Sequence, residues 1–429
     1  MDKNRKTAYY ALSSVELKKA YSNIALHHHI IRGKPDSPAF VRQLVYGVLE
    51  SKMTLDYILD QLVPSGVEKL RKSDRIVLRM GLYQLAYMNV PIYAAVDESV
   101  RLAKRFCKGH EGFINATLRT YVRNKEKINL PERGADEVRY LSIRYSYEPW
   151  IVELWREQYT AEFVEKMLGA GNVTPGVDIR ANGLRITRDD LEGRLVAQGY
   201  TVKPGALSES ALRITGGTKM LTETGLYKQG KFSIQDEGSM LVTAMLDPKP
   251  GDVVVDVCAA PGGKTLAIAE RMHNNGQIVA SDIYVRKLEI INKEAKRLGV
   301  SIIETKTWDA AKVNSAMIGK ADRVLADVPC SGLGVVRRKP EIKYKKRTAD
   351  MELLPKKQLE ILTASSQYVK VGGVLVYSTC TINADENQKV VSEFLKKNPA
   401  FKKAEKIQLM PNVNGTDGIF ICKMVNQQG

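Results

Sequence analysis

The sequence is poor in the residues that build metal and disulfide sites. Its 429 residues include five cysteines and five histidines, and no two cysteines form a C-x-x-C pair. An odd number of cysteines without regular spacing argues against a disulfide framework and against a structural zinc site. We therefore predict free thiols in a reducing compartment and no bound metal.

Long apolar runs are missing as well. No stretch approaches the roughly 18 consecutive apolar residues that a membrane helix needs. The N-terminal stretch MDKNRKTAYYALSS mixes charges with apolar residues and lacks the apolar centre of a secretory signal. These absences predict a cytoplasmic protein without a membrane partner, and we expect it to be a monomer.

What the sequence does have is an excess of positive charge. Lysine and arginine total 65 against 48 acidic residues, which gives a net charge of +17. An excess of this size favours a polyanionic partner such as nucleic acid, although an evenly spread solubility charge would give the same sum. Clustering of the basic residues in RRKPEIKYKKR (337–347) favours RNA or DNA as that partner.

Periodicity divides the chain into three parts. Apolar residues at three- and four-residue spacing predict helices up to about residue 125, as in RIVLRMGLYQLAYM. Short alternating runs around RDDLEGRLVAQG indicate a small α+β module, and after residue 232 apolar strands alternate with helices, which is typical of a parallel sheet. We predict an all-α domain over 1–128, linker helices and a small α+β module over 138–230, and an α/β domain over 231–429.

Three consecutive histidines, 27 to 29, suggest a metal site or an affinity tag. Consecutive helical positions point about 100° apart, so the three rings cannot bind one ion together. Isoleucines and a leucine surround them, which predicts a partly buried helix. We assign these histidines no function.

The stretch DVVVDVCAAPGGKT (252–265) leads from a strand through small residues into a helix. Gly262 and Gly263 allow close approach of backbone to a ligand, and the helix N-terminus offers amide donors. An ordinary strand-to-helix turn would contain similar residues. The spacing matches neither G-x-G-x-x-G nor the phosphate-binding loop, which disfavours NAD and ATP.

Two acids follow that loop at strand ends. Asp282 stands about 20 residues past the glycines, where a doubly wound fold places an acid against ribose hydroxyls. Asp309 follows the third strand, where an adenine amino group could be met. A single aspartate at a strand end is more often a helix cap. The loop and both acids, arriving in order, favour an adenosine-containing cofactor, and S-adenosylmethionine fits best because no phosphate cradle is present.

The predicted strands DRVLADV and GGVLVYST end at the same edge of the sheet. We expect them to place Asp327, Cys330 and Cys380 at that edge. Amino-nitrogen methylation commonly uses an Asp/Asn-Pro-Pro-aromatic turn, and Asp-Val-Pro-Cys fits that poorly. Carbon 5 of a pyrimidine becomes nucleophilic once a thiolate adds to carbon 6 and an acid contacts nitrogen 3. A base must then remove the carbon 5 proton. Two cysteines and an aspartate satisfy this chemistry, and the residues alone leave open which thiol attacks.

Free cysteines are often small buried hydrophobes. We expect that role for Cys107 and Cys422, and for the thiol of Cys258. Cys330 and Cys380 stand at strand ends beside polar residues, which favours a function for both.

The motifs DVCAAPGGKT, DVPCSGLGVVRRKPEIKY, YSTCTINADENQ and GTDGIFICKM resemble, in order, those of the RNA cytosine-5 methyltransferases. AAVDESVRLAKRF followed by GFINATLR is similar to the NusB antitermination factor, an all-helical RNA-binding fold. That fusion resembles the bacterial small-subunit ribosomal RNA methyltransferases of type B. Val328 and Leu333 depart from the usual residues of the second of these motifs without disturbing Asp-Pro-Cys.

The resemblance implies a NusB-like helical domain, a small α+β module and a Rossmann-like methyltransferase domain. It implies methyl transfer from S-adenosylmethionine to carbon 5 of a cytosine in 16S ribosomal RNA, with Cys380 as the nucleophile, Asp327 at the base and Cys330 in product release. The implied cofactor contacts are Cys258, Ala259, Ala260, Pro261, Gly262, Gly263, Lys264, Asp282, Asp309 and Asp327.

Three alternatives compete with this interpretation. The same chemistry could act on transfer RNA, and the helical domain is the feature that argues against it. A non-catalytic RNA-binding assembly factor would show damaged Ser-Thr-Cys or Asp-Pro-Cys motifs, and both are intact. A nicotinamide dehydrogenase is disfavoured by the glycine spacing.

Overall fold

The computed structural model describes residues 1–134, 136–217 and 220–427. Its helices are α1 Lys3–Lys18, α2 Ser22–Gly33, α3 Pro38–Glu50, α4 Lys52–Asp60, α5 Lys72–Tyr87, α6 Ile92–Phe106, α7 Glu111–Asn124, α8 Glu137–Tyr145, α9 Pro149–Gln158, α10 Ala161–Gly171, α11 Arg188–Ala197, α12 Gly225–Lys228, α13 Glu237–Leu246, α14 Gly263–Arg271, α15 Val285–Leu298, α16 Ile342–Lys345, α17 Thr348–Ser366, α18 Gln388–Lys397 and α19 Pro411–Asn414. None of the helices in these ranges is long and apolar enough to cross a membrane.

The strands are β1 Val177–Ala181, β2 Thr201–Pro204, β3 Ala211–Gly216, β4 Phe232–Ile234, β5 Val253–Asp256, β6 Gln277–Asp282, β7 Ile303–Thr307, β8 Ala321–Asp327, β9 Val369–Thr379, β10 Phe401–Gln408 and β11 Phe420–Asn426. The chain forms two compact units. The helical unit comprises Met1–Val173 and Val336–Lys346, and the sheet unit comprises Thr174–Val335 and Arg347–Gly429.

In the helical unit, the predicted helices up to residue 125 are confirmed as α1 to α7. Local signals set their starts, since the Asp2 side chain accepts a hydrogen bond from the Arg5 amide at 2.8 Å and caps α1. Buried apolar residues such as Ile76, Val77 and Met80 on α5 join one shared core. Packing of these apolar faces holds the helices together.

The three histidines lie on α2, within a partly buried helix as predicted. The side chains of His27 and His28 are exposed. His29 is half-buried, and its ring lies 5.9 Å from that of Tyr10 in a stacked arrangement.

The basic run 337–347 is largely part of the helical unit. Lys343 is fully buried, and its Nζ donates to the Asn172 side-chain oxygen at 2.6 Å and to the Glu50 carbonyl at 3.2 Å. Lys345 Nζ donates to the Ala20 carbonyl at 2.6 Å. Two side chains of the run are thus used inside the fold, so residues 337–347 do not form one continuous basic surface.

The sheet unit begins with a small antiparallel sheet in the order β2-β3-β1-β4, with α11 packed on it. This is the predicted α+β module. The module extends slightly past residue 230, where the sequence suggested a boundary. Strand β4 pairs with β1, and its Phe232 is fully buried in the core of the module. The three predicted domain ranges remain predictions.

The larger sheet has seven strands in the order β10-β11-β9-β8-β5-β6-β7. Strands β5 to β9 are parallel to one another, whereas β11 and β10 pair antiparallel at one edge. The apolar strands that the sequence predicts after residue 232 are present, but the last of them, β11, is antiparallel to β9 and so departs from the expected parallel sheet. Strand β10 was not predicted, because its sequence FKKAEKIQ is an exposed edge with few buried side chains. The predicted α/β class is confirmed.

Candidate active site

The strand register of the sheet unit brings the two cysteines together. Strands β8 and β9 are parallel neighbours, with Asp327 opposite Ser378. Both strands end at the same edge of the sheet, and Cys330 Sγ lies 3.0 Å from Cys380 Sγ. The Cys380 amide donates to Cys330 Sγ at 3.3 Å. Two thiols that are 50 residues apart in the sequence are thus in contact in the fold.

Asp327 is held from two sides at this edge. Its Oδ2 accepts from Lys264 Nζ at 2.7 Å, and its Oδ1 accepts from Ser378 Oγ at 2.6 Å. Burial alone would lower the pKa of the Lys264 ammonium, but Asp327, with a smaller contribution from Cys380, raises that pKa above its usual value. Lys264, expected in the cofactor loop, therefore also binds the acid at the sheet edge. The sequence did not reveal this pairing.

The glycine loop leads from β5 into α14 as predicted. Gly262 has a φ of 105°, and a Cβ there would lie 2.9 Å from Ile291 Cγ1, so both backbone and space require glycine. The helix α14 starts at Gly263, and its first amides lie at the end of the loop. The peptide bond between Ala260 and Pro261 is cis.

Asp256, at the end of β5, is a buried acid that the sequence reasoning missed. Its Oδ2 accepts from Thr265 Oγ1 at 2.7 Å, while its buried Oδ1 has no hydrogen-bond partner. Burial, reinforced by the charge of Asp327, raises the pKa of Asp256 to about 7. A charged residue inside the apolar run DVVVDVC was the signal that could have identified it.

Asp282 and Asp309 lie at the predicted strand ends. Asp282 Oδ1 accepts from the Tyr284 amide at 3.0 Å, and Asp309 Oδ1 accepts from the Ala311 amide at 3.1 Å. Each acid therefore accepts from the amide two residues further along the chain. Neither contact is the helix cap of the alternative interpretation, because the N-cap of α15 is Tyr284 and no helix begins beside Asp309 in the described residues. Lys357 Nζ also lies 3.8 Å from Asp309 Oδ1.

These acids nevertheless converge on the glycine loop. Burial raises the pKa of the Cys258 thiol well above its usual value, and four carboxylates raise it further: Asp256, Asp327, Asp282 and Asp309. The fold thus brings the predicted cofactor residues to one region. Cys258 is partly exposed, whereas Cys107 and Cys422 are fully buried as predicted.

A family model described as 16S rRNA methyltransferase RsmB/F matches residues 243–425. A NusB family model matches residues 2–123, and a ferredoxin-like domain model of the RsmF/B-like methyltransferases matches residues 147–220. The chain is 37% identical over 444 aligned residues to a probable ribosomal RNA small subunit methyltransferase B of Bacillus subtilis, with 98% of each chain covered. The chain belongs to the RsmB/F methyltransferase family.

Two further proteins are similar to this chain. The ribosomal RNA small subunit methyltransferase B of Vibrio cholerae is 32% identical over 403 residues, covering 92% of this chain and 91% of that protein. A crystal structure of a methyltransferase homologue from Pyrococcus horikoshii is 26% identical with a TM-score of 0.60, covering 66% of this chain and 97% of that one. The predicted resemblance, with its NusB-like domain and Rossmann-like methyltransferase domain, is confirmed.

Proposed function

We propose that this RsmB/F family member transfers a methyl group from S-adenosylmethionine to carbon 5 of a cytosine in small-subunit ribosomal RNA. The observation that carries the chemistry is the pair of thiols, 3.0 Å apart, beside an aspartate held by a lysine. Substrate class is supported by the names of the relatives, which are ribosomal RNA small subunit methyltransferases.

The residues of the loop and strand ends suit an adenosine-containing cofactor. Buried Asp256, at the end of the strand that leads into the glycine loop, has an oxygen without a hydrogen-bond partner. We assign binding of S-adenosylmethionine to Cys258 through Lys264 and to Asp282, Asp309 and Asp327. When bound, this cofactor supplies an electrophilic methyl group.

Cys380 is the proposed nucleophile. Its thiolate adds to carbon 6 of cytosine, and the electron pair of the C5–C6 double bond moves into the ring toward nitrogen 3. A proton passes from the Lys264 ammonium by way of Asp327 to that nitrogen, which leaves a neutral Lys264 amine beside the Asp327 carboxylate. Carbon 5 then carries an enamine and is nucleophilic.

Release of the product reverses the addition. A base takes the proton from carbon 5, that C–H pair restores the C5–C6 double bond, and the C6–S bond breaks to return the Cys380 thiolate. We assign Cys330 to expulsion of the thiolate, because its sulfur lies within contact distance of the leaving sulfur and its S–H can donate to that sulfur.

Bisulfite sequencing of total RNA tests the proposal directly. A strain that lacks this protein should lose one 5-methylcytosine in small-subunit ribosomal RNA, and the wild-type gene should restore it while the Cys380→Ala gene should not. Loss of a transfer RNA modification with ribosomal RNA unchanged would move the substrate to transfer RNA. No lost 5-methylcytosine in either RNA would overturn the proposed chemistry.

A further inference from the structure

Glu386 is a buried carboxylate that joins the two cysteine loops. The residue is fully buried, and its Oε2 accepts from the Ser331 amide at 2.7 Å, directly after Cys330. Its Oε1 accepts from Thr381 Oγ1 at 3.3 Å, directly after Cys380. One side chain therefore binds the residue that follows each thiol.

The neighbours of Glu386 make the same connection. Gln358 Nε2, from α17, donates to Glu386 Oε2 and to the Pro329 carbonyl, both at 3.0 Å. Ser331 Oγ and Thr381 Oγ1 lie 2.8 Å apart. The loop of Cys330 is thus fixed on both sides of the thiol, with Glu386 as the charged centre of the network.

The two thiols face different charges. Hydrogen bonding to Cys380 comes first among the factors that raise the pKa of Cys330, followed by burial and by the negative charges of Cys380 and Glu386. Lys264, in contrast, carries an ammonium whose pKa is raised in part by Cys380. From β9, Tyr377 also faces Cys330, and its hydroxyl donates to the Glu386 carbonyl at 2.6 Å.

We propose that Glu386 is a positioning residue that decides which thiol reacts: its buried charge and its bond to the Ser331 amide hold Cys330 as a neutral S–H beside Cys380. The S–H can donate to the Cys380 sulfur and stabilise it as the thiolate. This assignment rests on the proposed function, because it explains why Cys380 and not Cys330 is the nucleophile. Its test does not use methylation, so either proposal can fail alone.

The experiment titrates Cys330 in the full-length protein. In the Cys380→Ala background, the rate of alkylation of Cys330 by iodoacetamide is followed across pH 6 to 10 by mass spectrometry of its peptide. Cys330 is partly exposed and accessible to the reagent. We expect a midpoint above the ordinary value of about 8.5.

Adding Glu386→Gln should lower that midpoint and speed alkylation at neutral pH by at least about fivefold, because thiolate is the reactive form. Asp385→Asn is the matched control, since it removes a charge one residue away that is paired with Lys389. It should leave the midpoint in place. Loosening of the loop alone would raise the high-pH plateau without moving the midpoint.

Glu386→Asp covers the case in which the glutamine variant does not fold. It keeps the charge and shortens the side chain, so the midpoint should stay high even if the plateau changes. An unchanged midpoint in Glu386→Gln, an equal shift in Asp385→Asn, or a lowered midpoint in Glu386→Asp would each overturn the proposal.

Discussion

Cys330 and Cys380 are identical side chains, and their difference comes from their surroundings. The Lys264 ammonium attracts negative charge on Cys380, whereas the buried Glu386 carboxylate repels negative charge on Cys330. At the scale of single residues, the proposed mechanism therefore makes separate predictions for the two thiols.

Cys380→Ala should abolish both methylation and the covalent RNA adduct, because carbon 6 is never attacked. Cys330→Ala should permit attack and methyl transfer but slow release of the thiol. Protein joined to RNA should then accumulate as a slow band on a denaturing gel. The double variant is the control and should show no such band.

The reversed pattern would assign the roles the other way. A trapped complex with Cys380→Ala and none with Cys330→Ala would make Cys330 the nucleophile. Glu386 could then not be the residue that selects Cys380 as the nucleophile. Its effect on the titration of Cys330 could still be measured.

At the scale of elements, α14 is anchored by a residue from another part of the sheet unit. Arg180, on β1, is buried and makes two bonds of 2.8 Å to Glu270 on α14. It also donates to the Gly263 carbonyl at 3.2 Å, where the glycine loop enters the helix. The small module thereby holds both ends of the helix that follows the loop.

Arg180→Met should destabilise the protein by about 3–5 kcal/mol, because Glu270 is left as an unpaired buried charge. Adding Glu270→Leu should recover most of that loss, since no charge then remains buried. Urea unfolding of the full-length variants measures both effects. A double variant no more stable than the single one would show that the charge of Glu270 is not the source of the loss.

The helix turn α16 makes a second element-scale prediction. Burial lowers the pKa of Lys343 to about 7, although nearby Glu50 acts in the opposite direction. An unfolded lysine has a pKa of about 10.4, so between these values the unfolded chain binds more protons than the folded one. Stability should therefore rise with pH from 7 toward 10.

The expected slope is at most about 1.4 kcal/mol per pH unit for one group. Unfolding of the full-length protein at pH 7 to 9.5 should show this rise, and Lys343→Met should flatten it. Equal slopes in the two proteins would mean that Lys343 stays charged when folded, stabilised by its carbonyl partners.

At the scale of the whole molecule, the net charge of +17 remains the broadest pointer to an RNA partner. The structure narrows which groups can contribute, because Lys343 is fully buried and cannot meet a phosphate. The remaining exposed lysines and arginines supply the general attraction.

Affinity for a small-subunit ribosomal RNA fragment should fall steeply with salt. Each neutralised phosphate adds roughly 0.7–0.9 to the slope of log affinity against log salt. A DNA strand of the same sequence shares the phosphate contribution, so it should show a similar slope with weaker binding. A nearly flat slope for RNA would show that contacts between basic side chains and phosphates are not the basis of binding.

The sequence by itself determined the order of the parts and the residue types of the site. Spacing identified the helical segment, the glycine loop and every strand of the larger sheet except β10, because periodicity reports which face of an element is buried. The carboxyl ends of parallel strands meet at one edge of a sheet. The sequence alone therefore predicted that Asp327, Cys330 and Cys380 lie near one another. The motifs then identified the family.

Only the tertiary structure decided the contacts between residues that are far apart in sequence. Three such contacts are the pairing of Lys264 with Asp327, the bond of Glu386 to the Cys330 loop, and the burial of Lys343 in the helical unit. They depend on packing between residues that are 55 to 293 positions apart. A local pattern carries no information on such partners. Strand β10 was missed for a related reason, since an edge strand needs few buried side chains and leaves no apolar period.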